Sequence, residues 1–148
     1  MKKSTKFIIA LLVTVGALAI TYRVVNQAPS KDLAADAQMQ EIITSGGCLQ
    51  CHSGSPDLPF YANWPVASGM VQKDVTQGYR AFDMTEMAEA LKAGKPVGKV
   101  ALAKVEKVIM DGTMPKHAYY MVHWGSSVTD AKKEMAMAWV KQHRLAHY

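Results

Sequence analysis

Apart from Cys48 and Cys51 this sequence has no cysteine, and a zinc site would need two further soft or imidazole ligands at finger-like spacing, which are not evident around Cys48. Strand-type alternation of apolar and polar residues is nearly absent, which argues against a sheet-based domain. There is no internal repeat and no low-complexity tract. The formal charge of +5 is also less informative than it looks. Lys2, Lys3, Lys6 and Arg23 are four of the 17 basic residues, leaving 13 against 12 acidic residues in the rest of the chain. The basicity thus belongs to the N-terminal segment, and nothing suggests the clustered basic face that nucleic acid requires.

What is present is Cys48-Leu49-Gln50-Cys51-His52. Two thiols three positions apart can each add to a vinyl group of one haem, and the following imidazole lies where it can reach the iron, so the spacing reads as c-type haem attachment. The competing readings are a thioredoxin-like redox pair, which would want a βαβ context, a zinc site, and an inert Cys48–Cys51 disulfide.

The N-terminus runs from Phe7 to Tyr22 without a charge, after three lysines and before Arg23. The run is slightly short for a span of about 20 residues, but Arg23 can snorkel and bring Val24 and Val25 into it. Ala17-Leu18-Ala19 fits a signal-peptidase site, whereas the length of the run and the Tyr22-Arg23 pair favour an uncleaved signal anchor. In either case the lysines hold the N-terminus in the cytoplasm and send the remainder to the export side. The expected organisation is an anchor over 1–25, a short tether over 26–31 and one haem-binding domain over 32–148.

Helical signals dominate that domain. Leu33 to Thr44 reads as a helix capped by Ser30 or Asp32 and stopped by Gly46-Gly47. Three prolines between Pro56 and Pro65 exclude a regular element there, leaving Phe60, Tyr61 and Trp64 to fill the core or pack on the haem edge. Val66 to Tyr79 is a second helix, Met84 to Ala93 a third behind a capping-box-like Asp83 and Glu86, and Gly98 to Asp111 a fourth. On the fourth, Val100, Ala103, Val105, Val108 and Ile109 form the expected apolar stripe. The last helix starts at Thr129, ends near Gln142, and carries Ala131, Met135, Ala138, Trp139 and Gln142 on one face.

His52 supplies one axial iron ligand, and the other decides the chemistry. A thioether favours ferrous iron and raises the potential, a second imidazole lowers it, and an open position allows ligand binding. Met84, Met87, Met110, Met135 and Met137 fall on helices at core-like spacing. Met114 lies instead between a helix-ending glycine and Pro115, in a segment that proline biases away from helix. It is the leading candidate, with His117 and His123 as alternatives. His143 and His147 read as surface residues near the C-terminus, and Tyr79, Arg80 and Trp64 as candidate contacts to haem propionates.

From Gly47 to about Arg144 the chain resembles the haem-binding domain at the N-terminus of membrane-anchored, three-haem bacterial cytochrome c peroxidases of the quinol peroxidase type. The matching stretches are Gly47 to His52, Leu58-Pro59-Phe60-Tyr61-Ala62, Gly78-Tyr79-Arg80-Ala81-Phe82, Met114-Pro115, and His123-Trp124 followed by Ala138-Trp139. The resemblance implies an all-α, cytochrome c-like unit with one covalently attached haem c. Carried over residue by residue, it makes Cys48 and Cys51 the attachment sites, His52 the proximal ligand and Met114 the distal one. The sequence departs from the family in lacking a second and third CxxCH and in stopping at Tyr148, so the peroxide site is expected to be missing and the chain is not expected to be an enzyme.

The resulting expectation is a cytochrome tethered to the bacterial inner membrane with its haem domain in the periplasm. It would relay single electrons from a quinol-linked membrane donor to an acceptor such as a di-haem peroxidase. Two alternatives are a haem sensor or small peroxidase in which Met114 yields to peroxide, NO or CO, and a partner subunit whose haem only supports folding.

Overall fold

A computed structural model describes residues 3–148, and it is all-helical: among the described residues there is no strand. The helices are α1 (Lys3–Val25), α2 (Ala35–Ser45), α3 (Ser68–Ala81), α4 (Thr85–Lys92), α5 (Lys99–Asp111), α6 (His117–Val122) and α7 (Asp130–His147), with a 3-10 turn over Cys48–Gln50. The core forms where α7 lies across α2 and α5 and where α2 meets α4. Met39, Ile42 and Ile43 enter it from α2, Met87 and Leu91 from α4, Leu102 and Val105 from α5, and Ala136, Trp139 and Val140 from α7. Burying an aliphatic or aromatic side chain of this kind contributes roughly 1.5–3 kcal/mol, so these faces set the packing.

Helix α1 stands apart from this core. Its residues Ser4–Val25 have a mean hydropathy of 2.2, and the helix is long and apolar enough to cross a membrane. Its far end is not loose. Asn26, buried, donates from Nδ2 to the Tyr22 and Trp124 carbonyl oxygens at 3.0 and 2.6 Å, and its Oδ1 accepts from the Ser127 amide at 2.9 Å.

Several local expectations meet a different outcome. α2 starts two residues late, with Ala34 at its N-cap; Ser30 instead closes a turn by accepting from the Asp32 amide. Asp83 accepts from the Thr85 amide at 2.9 Å, one position ahead of the α4 cap residue Met84. On α5, Val105, Val108 and Ile109 do face inward, but Leu102 is the most buried residue, and Val100 and Ala103 are exposed. Met110 is 73% exposed and so is not core.

The buried face of α7 is Lys132, Ala136, Trp139, Val140 and His143 rather than the stripe through Ala131, Ala138 and Gln142. The physical reason is Lys132. Its aliphatic stem lies in the interior while Nζ reaches the Ser127 carbonyl oxygen at 3.1 Å and Ser45 Oγ at 3.3 Å, so a charged residue occupies a core position. The helix also continues to His147, which draws His143 into the packed part of α7 and overturns its reading as a surface residue.

Candidate haem-binding site

The site begins where α2 stops. Gly46 caps α2, and Gly47 then turns left-handed with φ 64°, a conformation that costs residues with a Cβ about 1–2 kcal/mol. The turn that follows is closed by the Cys51 and His52 amides, which both donate to the Cys48 carbonyl oxygen, at 3.3 and 3.0 Å. This coil places both thiols and the imidazole on one short loop. Helix α3 packs against it at Gly78, where a Cβ would lie 2.5 Å from the Cys51 carbonyl oxygen. Only glycine allows that approach.

His52 is held from two sides by the segment between α3 and α4. Its Nδ1–H donates to the Phe82 carbonyl oxygen at 2.8 Å, and its own carbonyl accepts from the Met84 amide at 2.7 Å. A carbonyl only accepts, so Nδ1 carries the proton and the lone pair is left on Nε2, the arrangement an imidazole needs to ligate a metal.

Cys48, Cys51, His52 and Met114 all line one apolar cavity of about 290 Å³. Its walls come from Met39, Ile42 and Ile43 of α2 and Val105, Val108 and Ile109 of α5. Met114 sits in the loop between α5 and α6, and that loop is tied to α3 by an ion pair from Lys116 Nζ to Asp74 Oδ1 at 2.6 Å. α3 thereby braces both the cysteine turn, through Gly78, and the methionine loop, through Asp74. The second brace leaves no motif in the sequence.

Other expected residues lie elsewhere. His117 is exposed and packs on Tyr120, with ring centroids 4.7 Å apart. His123 stacks on Tyr119 at 4.0 Å and shares a hydrogen bond with the Tyr61 hydroxyl through Nε2 at 2.9 Å. Neither lines the cavity, and neither do Trp64, Tyr79 and Arg80; the basic side chains at its edge are Lys104, Lys116 and Lys133. Phe60, Tyr61 and Trp64 pack on one another at 5.5–6.4 Å, with Phe60 83% exposed, and none of the three fills the core or lines the cavity.

Sequence reasoning also missed Tyr119. It reaches the cavity from α6, and its hydroxyl donates to Gln50 Oε1 at 2.6 Å while lying directly over Gly47. The six-residue helix that carries it lacks strong start and stop signals.

The thiol chemistry separates the rival readings. Cys48 and Cys51 are both free. Burial pushes the Cys48 thiol up to about 11 and raises Cys51 as well, whereas a redox-active pair of the thioredoxin kind requires a depressed thiol pKa. Among the described residues no group of three or more His, Cys, Asp or Glu side chains is placed to hold a metal ion. Two protonated thiols, an oriented imidazole and a thioether around one apolar cavity are instead a donor set that fits a haem.

Comparison with known proteins agrees with this chemistry. Residues 7–142 match the haem-binding domain family, a stretch that takes in most of α1 as well as the helical domain. The chain is 35% identical over 102 residues to cytochrome c peroxidase Ccp of Escherichia coli (strain K12), which covers 69% of this chain and 22% of that protein. The chain therefore spans about a fifth of the length of that relative. No solved structure matches significantly. The donor set and the match together establish that this chain belongs to the haem-binding domain family.

Proposed function

We propose that this chain is a single-pass, membrane-tethered c-type cytochrome that relays single electrons from a quinol-linked donor to an acceptor such as a di-haem peroxidase. In this reading one haem c is linked through Cys48 and Cys51, with His52 and Met114 as axial ligands, and the domain faces the periplasm. The observation that carries it is the convergence of those four side chains on one apolar cavity, with His52 already oriented by the Phe82 carbonyl.

When bound, the haem supplies reversible one-electron chemistry. The chain's own residues prepare for it. The Phe82 carbonyl fixes the imidazole tautomer and raises its basicity as a ligand. Met114 offers a soft sulfur that favours ferrous iron. The aliphatic walls from α2 and α5 keep water away, which also favours the less charged state of the centre. The likeness to a named peroxidase over a fifth of its length supports a peroxide-reducing acceptor, and the N-terminal lysines support a periplasmic domain. Anchoring concentrates the domain near a membrane donor without any new contact.

The test is spectroscopic. Pigment in the purified full chain should survive denaturation and organic extraction, and a Cys48→Ser, Cys51→Ser double variant should release it. The oxidised protein should show the weak long-wavelength band of methionine-ligated ferric haem, and the reduced protein should not bind CO. Extraction of the pigment from the unmodified chain would sink covalent attachment, and immediate CO binding would move the assignment to a sensor.

A further inference from the structure

We infer that the surface formed by Met121, Val122 and Trp124, continued by Phe60 and Trp64, rests in the headgroup region of the bilayer as a second membrane contact beside α1. The inference rests on reading α1 as a membrane span, and it adds an orientation that the proposed electron relay does not require.

The first observation is the junction between α1 and the domain. The Tyr22 and Trp124 rings meet edge to face at 6.4 Å, the Tyr22 hydroxyl bonds Ser127 Oγ at 2.8 Å, and Asn26 bonds both Trp124 and Ser127. The loop after α6 is therefore fixed to the last turn of α1. The second observation is position. Helix α1 is long and apolar enough to cross a membrane and ends at Val25, so Tyr22 stands in the last turn of the span, at its interface end, and the Trp124 ring packed on it lies at that level too. Tyr and Trp favour that depth.

The third observation is the surface itself. Met121 and Val122 of α6 are 70% and 66% exposed and do not line the cavity, and Trp124 is exposed beside them. The Tyr61 hydroxyl bonds His123, and the Phe60 and Trp64 rings pack on Tyr61, so the aromatic cluster adjoins the same junction. Exposed apolar side chains gathered where a span emerges fit a lipid surface. α6 thus carries Tyr119, which reaches the cavity, and the exposed Met121 and Val122, which do not line it.

The experiment uses the full haem-loaded chain in phosphatidylethanolamine–phosphatidylglycerol vesicles. Nitroxide labels at Met121→Cys, Val122→Cys and Val100→Cys are compared by power-saturation spectroscopy. Val100 is a similarly exposed site on α5 with no link to the α1 junction. The ratio of oxygen to nickel-chelate accessibility, each taken relative to nitrogen, should be several-fold higher at 121 and 122 than at 100. Equal ratios would overturn the inference in favour of a water-facing surface, and low accessibility to both probes would overturn it in favour of protein cover. Release of the chain by alkaline wash would remove the span and this surface together, whereas retained chain with water-facing labels removes the surface alone. The haem spectrum, read on the same samples, reports separately on the electron-transfer reading.

Discussion

The Tyr119 hydroxyl donates to Gln50 Oε1 at 2.6 Å and lies where a Cβ on Gly47 would stand. Burial lifts this hydroxyl to about 12, so it remains a donor at any ordinary pH. One contact thus links α6, the turn that carries the cysteines and the left-handed residue that starts it. Gly47→Ala combines left-handed strain of about 1–2 kcal/mol with overlap onto the hydroxyl, and Tyr119→Phe alone should cost about 1 kcal/mol. The double variant should be more stable than the sum of the two by about 1 kcal/mol, because Phe removes the overlapping atom. Denaturant midpoints of the four proteins provide the check, and strict additivity would show that the two residues do not touch.

Met114→Ala should lower the reduction potential and open the iron to CO, since it removes the thioether that lines the cavity. Met110→Ala, at an exposed position four residues earlier, should leave both unchanged and alter stability by no more than about 0.5 kcal/mol. Redox titration and a CO difference spectrum distinguish them, and a reversed pattern would assign the ligand to Met110.

Asn26→Ala should loosen the joint between α1 and the domain. It leaves the Ser127 amide and the Trp124 carbonyl without their buried partner, at about 1–3 kcal/mol. Hydrogen exchange at the Ser127 amide should accelerate, while amides of the α7 core keep their protection. Unchanged exchange at Ser127 would mean that the joint is already open in solution.

His143 should make the domain sensitive to acid. Burial holds its imidazole below the usual histidine range, opposed by Asp36 and reinforced by His147. Asp36 Oδ1 lies 3.3 Å from Nε2 but is taken up by the Trp139 indole at 2.7 Å, and Nε2 has no hydrogen bond. As the pH falls below about 6.5 the unfolded chain binds a proton before the folded one does, so stability drops from there to the depressed folded value and then levels off. In His143→Phe the urea midpoint should change less between about pH 7 and about pH 5 than in the parent. An equal change in both proteins would show that other groups set the acid limit.

Much of this fold is legible in the chain because its signals are local. Gly46-Gly47 ends α2, Gly112 ends α5, Thr129 caps α7 through the Lys132 amide, and the proline-rich segment forms no helix. The errors fall where a side chain answers to distant partners. The α7 stripe expected from Ala131, Ala138 and Gln142 gives way to a face that includes Lys132, because Ser45 and Ser127 receive its ammonium group. His123, by contrast, is only the lesser alternative to Met114 in the sequence, and it is held by Tyr61 and Tyr119.

By itself the sequence determined the chemistry on offer: two thiols and an imidazole at fixed spacing, a methionine beside a proline, and an apolar helix ahead of them. Those features act over a few residues, and spacing along the backbone is enough to express them. Tertiary structure alone decided that the Met114 loop closes on the cavity of the CxxCH turn, which carbonyl orients His52, and which surface adjoins the end of α1. Each of these joins residues from about 30 to about 100 positions apart, and only tertiary packing brings them together.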